Sequence, residues 1–309
     1  MITKDILIIG GGPAGISASI WCQRLDLDYL LIEENDELGG QLKDIHNRII
    51  DYPGKIYENG MVLQHQFTDH VKELDCKYHL KISIKSLDHE SRTVLLNDGD
   101  GEMYIKYKYI IFATGTSVRR LEIPGEQEMI LRGEIYSATK DRHRFQEKNV
   151  VVVGGGDRAF EGALLLAESG ANVFLVHRSK SFRAREAFKN PVRAHSKITV
   201  LEDTVVRKIY HGDKGITGLD LFNLLDQSTS HIIAEGVFIR IGVQPNTRYL
   251  KKHVHVDEEN YVVVNNCQQT SDSSIYAIGD VCTHPVFSSI SSATSQGMIA
   301  AKHLSLRLS

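Results

Sequence analysis

Asp5-Ile6-Leu7-Ile8-Ile9-Gly10-Gly11-Gly12-Pro13-Ala14-Gly15 joins an uninterrupted apolar run to a glycine turn, and Asn149-Val150-Val151-Val152-Val153-Gly154-Gly155-Gly156-Asp157-Arg158-Ala159 repeats the pattern. Apolar runs of this length predict parallel strands covered on both faces. Each glycine turn delivers the chain into a predicted helix, over 16–25 in the first copy and 159–169 in the second. A side chain in such a turn would hold the backbone away from a pyrophosphate, which takes the free amides and positive dipole of the helix N-terminus. One loop is a weak signal, but two in series imply two dinucleotides on one polypeptide. Gly10, Gly12, Pro13, Ala14 and Gly15 are the candidate contacts in the first copy, and Gly154, Gly156, Asp157, Arg158 and Ala159 in the second.

The residues after each second strand make the two sites unequal. Tyr29-Leu30-Leu31-Ile32 ends in Glu33-Glu34, where an acidic side chain binds a ribose 2'-hydroxyl and repels a 2'-phosphate. The first site therefore suits FAD or NAD and is a poor host for NADP. In the second copy Asn172-Val173-Phe174-Leu175-Val176 runs into His177-Arg178-Ser179-Lys180-Ser181-Phe182-Arg183. Paired guanidinium hydrogen bonds from Arg178 and Arg183 suit the 2'-phosphate that separates NADP from NAD. Ala159 in place of a third glycine also fits an NADP loop.

Runs at 78–84, 93–97 and 103–112 predict a small antiparallel meander, after which the last parallel strand closes at Thr114-Gly115. A matching set at 197–202, 205–210, 216–224 and 231–241 ends at Gly242. The tail adds predicted strands at 257–264 and 274–278, then Gly279-Asp280 and a helix over 288–306. A tail that follows a complete second fold must pair with the first. The expectation is an α/β protein of two Rossmann-like, three-layer ββα nucleotide-binding domains, the second inserted into the first. Residues 1–115 and 243–309 would form the first nucleotide-binding domain, and 116–242 the inserted second one.

A net charge of −3 over 309 residues carries no nucleic-acid signature, and no apolar run approaches the roughly 20 residues of a membrane helix. The start, Met1-Ile2-Thr3-Lys4-Asp5, lacks the flanks of a signal peptide, so a cytoplasmic protein is expected. Cys22, Cys76, Cys267 and Cys282 are scattered, none at Cys-x-x-Cys spacing, and read as free thiols of a reducing compartment. His65, His70 and His79 read as a helical surface, and no metal is assigned.

Taken in order, the motifs resemble those of the pyridine-nucleotide flavoprotein reductases, and within them the low-molecular-weight thioredoxin reductases. Beyond the two glycine loops, the resemblance rests on several further groups of residues. These are Gly39-Gly40-Gln41-Leu42, Asp51-Tyr52-Pro53-Gly54, Ala113-Thr114-Gly115, Glu161, Phe182-Arg183-Ala184, Gly242 with Pro245-Asn246-Thr247, and Gly279-Asp280-Val281. It implies FAD in the first site, with Glu33 on the adenosine ribose, Gly40 and Gln41 beside the flavin, and Asp280 at the ribityl or phosphate end. The helix N-terminus near Ser291, Ser292 and Ala293 would face the flavin. Glu34, Leu42, Asp51, Ala113, Thr114, Gly115 and Gly279 complete that site, and His177, Ile241 and Gly242 join the NADPH side. The flavin N5, not a side chain, would carry the chemistry, in a homodimer built through the FAD domains.

The departures from the family pattern direct the functional expectation. Ser137-Ala138-Thr139-Lys140 stands where thioredoxin reductases carry Cys-x-x-Cys, so the dithiol relay is absent. Ser288-Ser289 replaces Arg-Gln, Val243 replaces His, and Ser179, with Lys180 beside it, replaces the second clamp arginine. Ala14 is not the lone cysteine of bacillithiol reductase-like relatives. The expected activity is an NADPH-dependent flavoprotein reductase, of ferredoxin-NADP reductase or diaphorase type. It would pass electrons directly to ferredoxin, flavodoxin, a quinone or a small molecule. Ferredoxin-reducing relatives usually extend past the last helix, whereas this sequence ends at Ser309. Two alternatives are disulfide reduction through Cys282 and a redox sensor that does not turn over.

Overall fold

In the computed structural model, which describes residues 2–99 and 101–308, the first glycine turn sits at the carboxyl end of a central strand. That strand, β1 (Ile2–Ile9), buries its last four residues. Pro13 then opens α1 (Pro13–Arg24) directly behind Gly12. The helix begins three residues earlier than expected, because proline's fixed φ and missing N–H suit the first helical position. β2 (Tyr29–Ile32) is fully buried and pairs with β1 in parallel, Ile6 opposite Tyr29 and Ile9 opposite Ile32.

The chain continues through α2 (Gly60–Glu73), β3 (Tyr78–His79), β4 (Ser83–Asp88), β5 (Thr93–Asn97), β6 (Glu102–Phe112) and β7 (Thr116–Val118). The run expected as one strand over 78–84 is two. Lys81 takes φ +60°, so Tyr78–His79 extends the parallel sheet beside β2 while Ser83–Asp88 opens the hairpin. β6 runs parallel to β1 along its length, and its other edge is shared. Residues 102–106 pair antiparallel with β5, and residues 110–112 pair with a strand from the tail.

After α3 (Glu126–Leu131) and α4 (Ala138–Asp141), the second glycine turn follows β8 (Asn149–Val153) and opens α5 (Asp157–Glu168). This helix also begins earlier than expected, with Gly156 as its extended N-cap. β9 (Asn172–Val176), α6 (Glu186–Ala194), β10 (Ile198–Leu201), β11 (Thr204–Gly212), β12 (Gly215–Asn223), β13 (Thr229–Ile232) and β14 (Gly236–Ile239) complete the copy. Its parallel sheet has the order β10-β9-β8-β14. Two expectations need correction. Residues 198–201 belong to this parallel sheet, not to the meander, and 231–241 splits into β13 of a separate three-stranded sheet and β14 of the parallel one.

β15 (Val243–Pro245) leads back, and β16 (Ile275–Ala277) pairs parallel with β6, Ile275 opposite Ile110. No strand forms over 257–264 beyond an isolated bridge, Val256 to Val262. The last helix, α7 (Ile290–Leu308), lies against α1. A Cβ on Gly297 would come within 2.4 Å of the Ala14 carbonyl oxygen, so glycine sets that close approach. The chain divides into two compact units, Met1–Ser117 with Gln244–Ser309, and Val118–Val243.

Candidate dinucleotide sites

Both turns are built by the same steric device. Gly10 and Gly154 have φ of +105° and +147°, and a Cβ on either would strike a strand-end carbonyl, Ala113 O at 2.4 Å and Arg240 O at 2.2 Å. Only glycine makes that approach without strain. The glycine two residues on is the opposite case: a Cβ on Gly12 or Gly156 would meet nothing within 4 Å. Each turn thus has a locked entry and an open cradle ahead of its helix, and the cradle suits a pyrophosphate.

In the first site Glu33 is only 6% exposed, and its carboxylate holds the loop itself. Oε2 accepts from Gly11 N at 2.6 Å, while Oε1 accepts from Asn35 N at 2.8 Å and Asn35 Nδ2 at 2.6 Å. Gly39 N donates to Gly11 O at 2.7 Å, which brings Gly40 against Gly12, with a Gly40 Cβ 3.1 Å from its Cα. Leu42 is buried, and Gln41 Nε2 reaches Thr116 O at 3.1 Å. Asn246 is tied to Thr114 by two reciprocal bonds, Asn246 Nδ2 to Thr114 O at 2.8 Å and Thr114 Oγ1 to Asn246 O at 3.0 Å. Its N–H donates to Gly115 O.

Gly279 approaches Ala14, placing Gly279-Asp280 beside the first turn, and its N–H donates to Gln296 Oε1 at 2.6 Å. Asp280 accepts a hydrogen bond from Ser288 Oγ. At the start of α7, Ser292 N donates to Ser289 Oγ and Ser289 N to Ser292 Oγ, both at 3.0 Å. Ser289 therefore caps the helix, with Ser292 returning the bond, whereas Ser291 Oγ is buried without a hydrogen-bond partner among the described residues. Ala293 is buried, and Glu34 and Asp51 are solvent-exposed.

The second site places His177 where the first has Glu33, at the end of the second strand. The imidazole packs on Gly155, where a Cβ would lie 2.4 Å from the ring. Burial pushes the imidazole below its ordinary pKa, against the Ser181 carbonyl, and the charges of Arg178 and Arg183 lower it further. Arg178, Arg183 and Arg158 are all exposed. Arg240 is half-buried, gives Nη bonds of 2.8 Å to Ile239 O and Tyr136 O, and lies within electrostatic reach of Arg158. Ile241 and Gly242 follow it, and Gly242 O accepts from Arg119 N at 3.0 Å.

Residues 4–297 match the pyridine nucleotide-disulphide oxidoreductase family. The chain belongs to that family. It is 34% identical over 310 residues to the thioredoxin reductase of Chlamydia trachomatis serovar D, covering 97% of each chain. It is 28% identical to the 34.2 kDa protein in rubredoxin operon of Clostridium pasteurianum, covering 96% of this chain and 94% of the relative. Among solved structures, Lactococcus lactis thioredoxin reductase in its FR conformation matches with a TM-score of 0.78 and 30% identity over 98% of each chain. This pyridine nucleotide-disulphide oxidoreductase is accordingly a thioredoxin reductase-like flavoprotein. Among its described residues no helix is long and apolar enough to cross a membrane.

For a chain of this family, the state of the thiols is decisive. Burial pushes the Cys282 thiol up to about 12, and its Sγ donates to Ala277 O and Gly279 O at 3.3 Å. Cys22 is also pushed up to about 12 by burial, with Cys76 adding to the shift. A thiol at such a value is protonated at neutral pH and is a poor nucleophile. The segment Ser137-Ala138-Thr139-Lys140 forms one helical turn, closed by Ser137 N to Asp141 Oδ2 at 2.9 Å and Asp141 N to Ser137 O at 2.7 Å. Gln296 and Arg240 are polar supports that sequence reading missed. They lie in no motif, and only the pairing of distant segments brings them to these positions.

Proposed function

We propose that this family member oxidises NADPH through bound FAD and passes the electrons directly to an external acceptor, of which a small electron-carrier protein is favoured. The observation that carries the reading is chemical. The sequence has no Cys-x-x-Cys, and burial holds the thiols of Cys22 and Cys282 protonated. A Cys-x-x-Cys relay therefore has no residues to run on.

The residues fit the two cofactors by role. FAD, when bound, supplies hydride acceptance from the nicotinamide and electron release to the acceptor. Gly12 and the α1 N-terminus would take its pyrophosphate, Glu33 its ribose hydroxyls, and Asp280 its ribityl or phosphate end. Gly40, Gln41 and the start of α7 would flank the ring. Gly156 and the α5 N-terminus would take the NADPH pyrophosphate, with Arg178 and Arg183 on the 2'-phosphate. An electron-carrier acceptor is supported by the Clostridium pasteurianum relative, whose description places it in a rubredoxin operon.

Anaerobic stopped-flow tests the acceptor: the protein is reduced with NADPH, then mixed with ferredoxin, flavodoxin, rubredoxin, thioredoxin, low-molecular-weight disulfides and quinones. Fastest reoxidation by an electron-carrier protein is the expected result. Preference for thioredoxin or a disulfide would overturn the direct-transfer reading, and failure of NADPH to bleach the flavin would leave only a sensor. Cys282→Ser is expected to leave NADPH-driven reduction within about twofold, since a protonated thiol contributes no redox chemistry. Loss of disulfide reductase activity in that variant would restore the thiol mechanism. Light scattering is expected to find a homodimer.

A further inference from the structure

The two arginines assigned to the 2'-phosphate are exposed, and a flexible side chain selects a ligand well only when its backbone is held in place. Here the segment that carries them, residues 177–185, is fastened to the second glycine turn at both ends. At one end His177 lies on Gly155, and its Nε2 faces Ser181 O at 3.2 Å. At the other, Ala184 N donates to Gly155 O at 3.0 Å. Asp157 then takes Arg185 twice, Oδ1 accepting from the backbone N–H at 2.8 Å and Oδ2 from Nε at 2.6 Å. The Arg185 guanidinium also lies 5.2 Å from the Phe188 ring centre. Arg178 and Arg183 each sit one residue inside these fastenings, next to His177 and Ala184.

Asp157 is also the first residue of α5, the helix whose N-terminus has to accept a pyrophosphate. A bare carboxylate there would repel that anion, and the Arg185 guanidinium neutralises it. Arg185 N–H chiefly, and then the Arg185 side chain, hold the Asp157 carboxyl below the usual carboxylate range, so it is ionised at neutral pH. We propose that Asp157 is a positioning residue for cofactor selection: by gripping Arg185 it fixes the loop bearing Arg178 and Arg183, and so separates NADPH from NADH without touching the 2'-phosphate. The proposal rests on the NADPH reading above.

Calorimetric titration of the whole protein with adenosine 2',5'-bisphosphate and with AMP tests it without turnover. Asp157→Ala is expected to weaken the bisphosphate about tenfold and AMP less than about twofold, the size of one lost charge-assisted bond in the loop's support. In steady state the same variant should raise KM for NADPH by a similar factor with kcat nearly constant. Equal weakening of both ligands, or of neither, would overturn the proposal, because general damage to the domain does not discriminate the 2'-phosphate. Arg178→Ala is the reference. If it loses discrimination and Asp157→Ala does not, only the positioning role fails; if neither loses it, the NADPH reading fails first. Should Asp157→Ala not fold, Asp157→Ser carries the same comparison.

Discussion

Arg178→Ala is expected to lower kcat/KM for NADPH about thirtyfold while leaving that for NADH within about twofold. The figure corresponds to about 2 kcal/mol, within the range of a hydrogen bond to a charged group. It is kept below the top of that range because the side chain is solvent-exposed before binding. The same exposure predicts that the NADPH preference shrinks as salt rises, since exposed charges are screened over about 10 Å at 0.1 M. The loss should sit in KM, because the 2'-phosphate is remote from the hydride and contributes equally to ground and transition states. Steady-state kinetics with both nucleotides at two salt concentrations checks this, and equal loss for both nucleotides would remove Arg178 from the phosphate site.

Gly12→Ala and Gly10→Ala are expected to fail in different ways. At Gly12 φ is −73° and a Cβ meets nothing within 4 Å, so alanine is accommodated and Tm should move by no more than about 2 °C. The methyl group nevertheless occupies the cradle, and FAD affinity is expected to fall at least about tenfold. At Gly10 the φ of +105° and a Cβ 2.4 Å from Ala113 O impose strain whatever is bound. That substitution is expected to cost about 2–3 kcal/mol of stability, with FAD loss following from unfolding. Thermal melts with and without added FAD separate the two. A Gly12→Ala protein that purifies fully flavin-loaded would show that the cradle is not where the pyrophosphate sits.

The strands that bear the glycine turns were legible because each is a run of apolar residues closed by glycine, a local pattern. The contrast between Glu33 and Arg178 was legible for the same reason, since strand length fixes where the deciding residue falls. What the sequence hid depends on backbone breaks and distant partners. Lys81 at positive φ divides one apparent strand in two, and residues 257–264 alternate like a strand yet have no neighbour to pair with beyond one bridge. The Asp157–Arg185 clamp joins residues 28 apart in sequence, and Gln296 reaches Gly279 across 17. Asp157 stands in the second glycine turn as a candidate cofactor contact and also holds Arg185, a bond that no local pattern announces.

The pairing of Ile275–Ala277 with the open edge of β6 orders events during synthesis. The ribosome delivers the whole of 118–243 before the strand that covers residues 110–112 exists, so the inserted unit can fold while its host waits with an unpaired apolar edge. At translation speeds of about 5–20 residues per second, that edge stays exposed for roughly 10–30 seconds. Unpaired edges of this kind template aggregation. Ribosome stalling or slow codons between β6 and β16 should therefore reduce soluble yield more than equal delays placed after β16.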